Sequence, residues 1–282
     1  TIFGDSGDDT HQFTGSLFIS GSRISIDDGK RNTSFGLRAG DSITTGQKNI
    51  LLGYRAGDAL TTGGNNIFIG DSTGYTSTDV DKAIIIGTNA GLADMDSDAD
   101  GTVAVGYYAG GAITSGQKST LVGFEAGKAL TTGDNNVAIG YTALTQHTTG
   151  GNNIAIGQGA MYQTGGATAS TSIDNIAIGR YALGGDWEEG TASNKNIAIG
   201  SAAMIGALNG SLYNIAIGHN AFFTQTTPDG NVGIGYQVGY HNVSGTGNVY
   251  MGYQAGLGAS GQSHSHNIGI GYSALQAVTT GG

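Results

Sequence analysis

Three stretches of the chain carry side chains able to do chemistry. Asp96-Ser97-Asp98-Ala99-Asp100-Gly101 alternates carboxylates and ends in a glycine, the pattern of the first half of a calcium loop. Tyr107 stands where such a loop needs its bidentate glutamate, so Asp96, Asp98 and Asp100 form an incomplete candidate set for Ca²⁺. His264-Ser265-His266 puts two imidazoles on one side of an extended strand, a donor set suited to a transition metal such as iron, nickel or zinc. Trp187-Glu188-Glu189 joins the only tryptophan to two carboxylates, a combination that can stack a sugar ring and bind its hydroxyls. Gly111 to Ser119 imitates a phosphate-binding loop, but Gln117 separates the glycine from the lysine and breaks the spacing that chemistry requires. No Ser/His/Asp set stands out and paired carboxylates are scarce. The residues point away from an enzyme.

The elements that position these stretches are repeats. Asn152-Asn153-Ile154-Ala155-Ile156-Gly157 recurs, worn or intact, with its glycine at 36, 53, 70, 87, 106, 123, 140, 157, 179, 200, 218, 235, 252 and 271. The base spacing is 17 and every departure lengthens it. Such a period means stacked coils, none able to bury its apolar face without a neighbour.

Each column of the repeat has its own character. Three and one residues before the glycine stand mostly Ile and Val, as in Ile67 and Ile69, sharing one face of a short strand. They are expected inside. The residue between them is usually small, and three after the glycine comes a near-continuous alanine column. Those small columns, Ala155 and Ala177 among them, are expected at a crowded interface between chains near a three-fold axis. Four before the glycine, Asn fills eleven of fourteen coils and is expected to form a hydrogen-bonded ladder. Turns such as Leu60-Thr61-Thr62-Gly63 close the coil.

Composition bounds the rest. With 53 glycines but one proline the chain is neither collagen-like nor a proline-rich linker, and the ordered Ile/Val columns exclude disorder. Charged residues make up 11% and the net charge is −10, which argues against nucleic-acid binding. There is no cysteine and no apolar run of membrane-spanning length.

Residues 1–30 are off-pattern and are expected to form a cap or junction, with residues 31–282 forming the repeat solenoid of a longer chain. The unit Asn-Asn-Ile-Ala-Ile-Gly-Tyr-x-Ala-Gly/Leu-x-x-Leu-Thr-Thr-Gly resembles repeats of phage tail fibres that precede endosialidase-type intramolecular chaperones. It is also similar to head repeats of trimeric autotransporter adhesins. The resemblance implies an all-β, left-handed parallel β-solenoid or β-roll of about 14 coils, assembled as a homotrimer. It further implies a non-enzymatic structural and host-attachment segment of a virion, meeting a cell-surface glycan receptor without membrane insertion. The alternative is a trimeric adhesin head on a bacterial surface. Iron held by His-x-His motifs in some such fibres lends support to the His264/His266 pair. The lengthened coils at 92–101, 163–174, 184–195 and 260–266 are the expected contact loops. Thr-Thr pairs leave an ice-binding solenoid as a minor alternative.

Overall fold

The computed structural model describes residues 29–163, 171–185, 187 and 191–279. The expected cap or junction falls almost wholly outside them. Among the described residues, fourteen three-residue strands run from β1 (Thr33–Phe35) to β14 (Ile268–Ile270), each lying immediately before one anchor glycine. They form one parallel sheet in strict chain order, so every coil stacks on the next. Register follows the repeat: Ile67 pairs with Ile84, and Ala155 with Ala177. The chain is a parallel β-solenoid, as the period required. No helix of the described residues is long and apolar enough to cross a membrane.

Backbone conformation limits each strand to three residues. The fifth residue before the anchor is left-handed, as at Lys48, Asn65 and Lys118 (φ +60°, +62° and +55°). The anchor glycine then ends the strand at φ near +130°, a region only glycine occupies readily. A Cβ at Gly140 would lie 2.6 Å from the carbonyl oxygen of Gly157 in the next coil, and one at Gly179 equally close to Gly200. The glycine column is therefore fixed both by φ and by coil-to-coil contact.

The strand faces the opposite way from that expected. Phe68, Ala155 and Ala177, the middle residues of their strands, are fully buried, whereas Ile67, Ile69 and their equivalents are only half-buried. The Ile/Val columns thus lie on the outside of the single chain and both small columns lie within it. Ala155 and Ala177 are not on an inter-chain surface. The physical reason is width. A coil this short encloses room for a single strand side chain, and that side chain competes for space with the residue four after the anchor.

The competition is settled coil by coil. Leu51, Phe68 and Tyr250 in the strand meet Gly57, Gly74 and Gly256, and a Cβ on Gly74 would lie 2.5 Å from the Phe68 ring. Where the strand offers Ala138, Ala155 or Ala216, the fourth position holds Leu144, Met161 or Phe222, all buried. Gly233 and Gly239 are both small, and the Phe222 ring of the preceding coil occupies their space. Leu60, Ile113 and Leu130, seven after their anchors, fill the rest of the lumen.

This packing makes a reciprocal prediction. Ala155→Leu should overpack against Met161 and cost about 1–3 kcal/mol. Adding Met161→Gly, which recreates the Leu121/Gly127 arrangement, should return the thermal midpoint most of the way to the parent. A double variant no more stable than the single one would contradict the shared-volume account.

Candidate functional site

The outer face of the sheet runs through all fourteen coils. No strand contains a charged residue, and Ile50, Ile139, Met251 and Ile270 are exposed on this face. One residue after the anchor, aromatic side chains extend it. Tyr107, Phe124 and Tyr141 stack at 5.1 and 5.3 Å between centroids. His219, Tyr236, Tyr253 and Tyr272 form a second ladder at 5.6, 5.1 and 5.1 Å. Successive rings lie nearly parallel, so they cover each other's faces and turn their edges outward. This arrangement offers little flat aromatic surface for a sugar ring but much apolar area for a protein. The column was legible in the sequence, since a ring directly follows the anchor glycine in eight of the fourteen repeats, counting His219, and it was the missed signal.

That surface is large for a single chain. Fourteen strands at roughly 4.8 Å make a stack about 65 Å long, and the four positions from strand to aromatic column add roughly 13 Å of width. The product is a footprint of about 800 Å², one partner's share of a standard interface, interrupted along one edge by Asp71, Thr88, Gln158, Arg180 and Ser201.

The residues singled out for chemistry are not gathered into one site. Asp96 caps the short 3₁₀ turn Ser97–Ala99, its carboxylate accepting the Asp98 amide at 2.9 Å. Asp100 accepts the Asp81 amide of the preceding coil at 2.7 Å. Asp98 is exposed beside Lys82 and Lys118, whose charge opposes a cation in the same depression. These carboxylates act as backbone acceptors, a role that Asp81 and Asp134 repeat toward Gly64 and Gln117. Among the described residues no group of three or more His, Asp or Glu side chains is placed to hold a metal.

His264 and His266 part company. His264 is buried, its Nδ1 2.7 Å from the Tyr250 hydroxyl, while His266 is exposed at φ +57°. His266 occupies the left-handed position that precedes every strand, so the alternation of faces that would align the two rings does not reach it. Trp187 is also buried in the lumen, which removes its indole from the surface expected to stack a sugar. Glu188 and Glu189 lie outside the described residues.

The threonine columns are likewise turned to internal use. Thr44, Thr61, Thr114 and Thr131 each donate a hydroxyl proton to the carbonyl of the stacked threonine in the next coil, at 2.9–3.4 Å. Such hydroxyls form a structural ladder and are poorly placed to order surface water.

A buried histidine missed at the sequence level is His147. Its Nε2 lies 2.9 Å from the Ser172 carbonyl oxygen, which only accepts, so Nε2 carries a proton and donates. Burial pushes its pKa down to about 4. No protein-family model matches the chain, and no curated protein matches it significantly.

Two predictions come from these placements. Between pH 6.5 and about 4 the unfolded chain takes up a proton at His147 that the folded chain refuses, so stability present above pH 6.5 is lost as the pH falls through that window. The loss should reach roughly 3 kcal/mol. His147→Leu, which installs the residue found at Leu60 and Leu130, should flatten that part of a pH-resolved chemical denaturation series relative to the parent. Separately, adding calcium to chelator-treated protein should leave the melting temperature unchanged, because the acidic loop already directs two of its carboxylates to backbone amides. A rise would reinstate Asp96, Asp98 and Asp100 as ligands.

Proposed function

We propose that this chain is a non-enzymatic structural and host-attachment segment of a phage tail fibre, built as a left-handed roll and assembled as a parallel homotrimer. The observation that carries the proposal is the sheet's outer face, whose strands hold no charged residue and which carries two aromatic ladders; this face would serve as the inter-chain surface. Three copies turning this face toward a common axis would bury the Ile, Val and ring-edge columns together. The loops that lengthen individual coils would then project outward, where a host receptor can be met. The resemblance of the repeat to tail-fibre units supports the trimer and the virion setting. The placement of the apolar face supports association in register, since every coil contributes the same positions.

The proposal separates into assembly and location, each with its own measurement. Sedimentation of the purified chain should give a single species of three chains. Ile156→Glu with Ile178→Glu, at two adjacent half-buried outer positions, should weaken that species by at least tenfold while leaving the β-rich circular dichroism in place. A stable monomeric parent would refute the assembly. Immunogold labelling of purified phage particles should decorate tail fibres, whereas labelling of uninfected bacterial surfaces would assign the chain to an adhesin head.

A further inference from the structure

The lumen is apolar at Leu60, Ile113 and Leu130 but changes character in the coils that follow β11 (Ile215–Ile217), β12 (Val232–Ile234) and β13 (Val249–Met251). There Gln225, Asn242 and His264, at most 1% exposed, point inward beside Phe222, Val238 and Tyr250. Both amide atoms of Gln225, Nδ2 of Asn242 and Nε2 of His264 have no protein hydrogen-bond partner. Buried polar atoms left in this state are destabilising, and native interiors rarely tolerate several together.

Hydrogen-bond logic gives each of these atoms its role. Asn248 Nδ2 donates to the His264 carbonyl at 2.7 Å and to Asn231 Oδ1 at 2.9 Å, which fixes the orientation of its amide. Its Oδ1 therefore faces the Tyr250 hydroxyl at 3.0 Å and accepts from it. Burial pushes the Tyr250 phenol up to about 12, so it keeps its single proton, and that proton is directed to Asn248. The contact of 2.7 Å between Tyr250 and His264 then needs a proton on the imidazole Nδ1. Burial also holds the His264 pKa below its ordinary value, so the ring is neutral and Nε2 bears a lone pair. Asn242 Oδ1 accepts from the Gly245 and His264 amides at 3.1 and 3.2 Å, which makes its Nδ2 a pure donor.

We propose that Gln225, Asn242 and His264 form an internal water-binding site, with His264 in the Nδ1–H tautomer. The orphan atoms comprise donors, Asn242 Nδ2 and Gln225 Nε2, and acceptors, His264 Nε2 and Gln225 Oε1. A cation satisfies only the acceptors and an anion only the donors. Water supplies both kinds, and buried waters typically make about three such bonds. The three side chains come from successive coils, so the water ties neighbouring repeats together where polar groups share the lumen with Phe222, Val238 and Tyr250.

The test uses the whole chain without substitution. An atomic-resolution crystal structure should show one ordered water within hydrogen-bond distance of His264 Nε2 and Asn242 Nδ2. Long-range ¹H–¹⁵N spectra at neutral pH should show a pyrrole-type Nδ1 and a pyridine-type Nε2 for His264. Direct pairing of the three side chains, a dry lumen, an anomalously scattering ion in place of the water, or the opposite tautomer would each overturn the proposal.

Discussion

Coil-to-coil hydrogen bonding by buried asparagine is the interaction on which the rest of this solenoid depends. Strands of three residues are short, and the turns on either side, which visit left-handed conformations, meet the next coil through separate amide-to-carbonyl bonds such as Gly57 N to Thr73 O and not through a continuous ladder. The asparagine four before each anchor bridges this gap. Asn153 Oδ1 accepts both the Asn175 amide and its side-chain Nδ2, at 3.1 and 3.2 Å, while Asn153 Nδ2 donates to the Ser172 carbonyl at 2.9 Å. One side chain thus serves two segments of the neighbouring coil. Where the column lapses, smaller groups carry part of the load. Thr102 donates its hydroxyl to Gly116 O, and Ser119 Oγ accepts the Asn136 amide. These bonds lie away from water, where an unpaired amide is costly. The period can lengthen in the loops but the asparagine-to-glycine block keeps its length.

The same narrowness that buries the asparagines rations the volume around them. Each lumen layer admits one bulky group from strand or turn, which is why Leu121 is matched by Gly127 and Ala138 by Leu144. Two residues at fixed separation in one coil behave as a single packing unit. Coils with different choices can stack because the layers contact only their neighbours, the property that lets repeat arrays tolerate drift. Interior polar residues enter by the same route. His147 replaces an aliphatic filler but finds the Ser172 carbonyl, whereas Gln225 finds none.

Architecture was legible in the sequence because its signal is periodic and summed over fourteen coils. The glycine anchors, the strand positions, the parallel order and the asparagine ladder all follow from spacing and residue type. The facing of the strand was not, because alternation says which residues share a side and never which side is inside. Ile69 and Phe68 are both apolar, and hydropathy cannot choose between them. The partner of Phe68 could have chosen, since Gly74 leaves room for a ring only if that ring points inward. The candidate sites were less legible for a related reason. His264, Trp187 and Asp96 were read as isolated motifs, whereas each takes its role from the column it occupies.

Inverting the strand changes what the outer surface has to do. With the Ile and Val columns inside, the exterior would be a polar skin and association a matter of small residues fitting closely. With those columns outside, one side of the stack presents β-branched residues and ring edges to water. Ring stacking along the axis shields some of that area, yet the edges of Tyr236 and Tyr253 remain exposed. A thin lumen filled by one or two bulky side chains per layer offers modest burial within the chain, and the outer face holds apolar area in reserve. Burial between chains, as proposed, would recover it at the rate of roughly 25 cal/mol per Å². Stacking inside the chain sets the geometry of that face, and association would make the array rigid enough to bear load over its length.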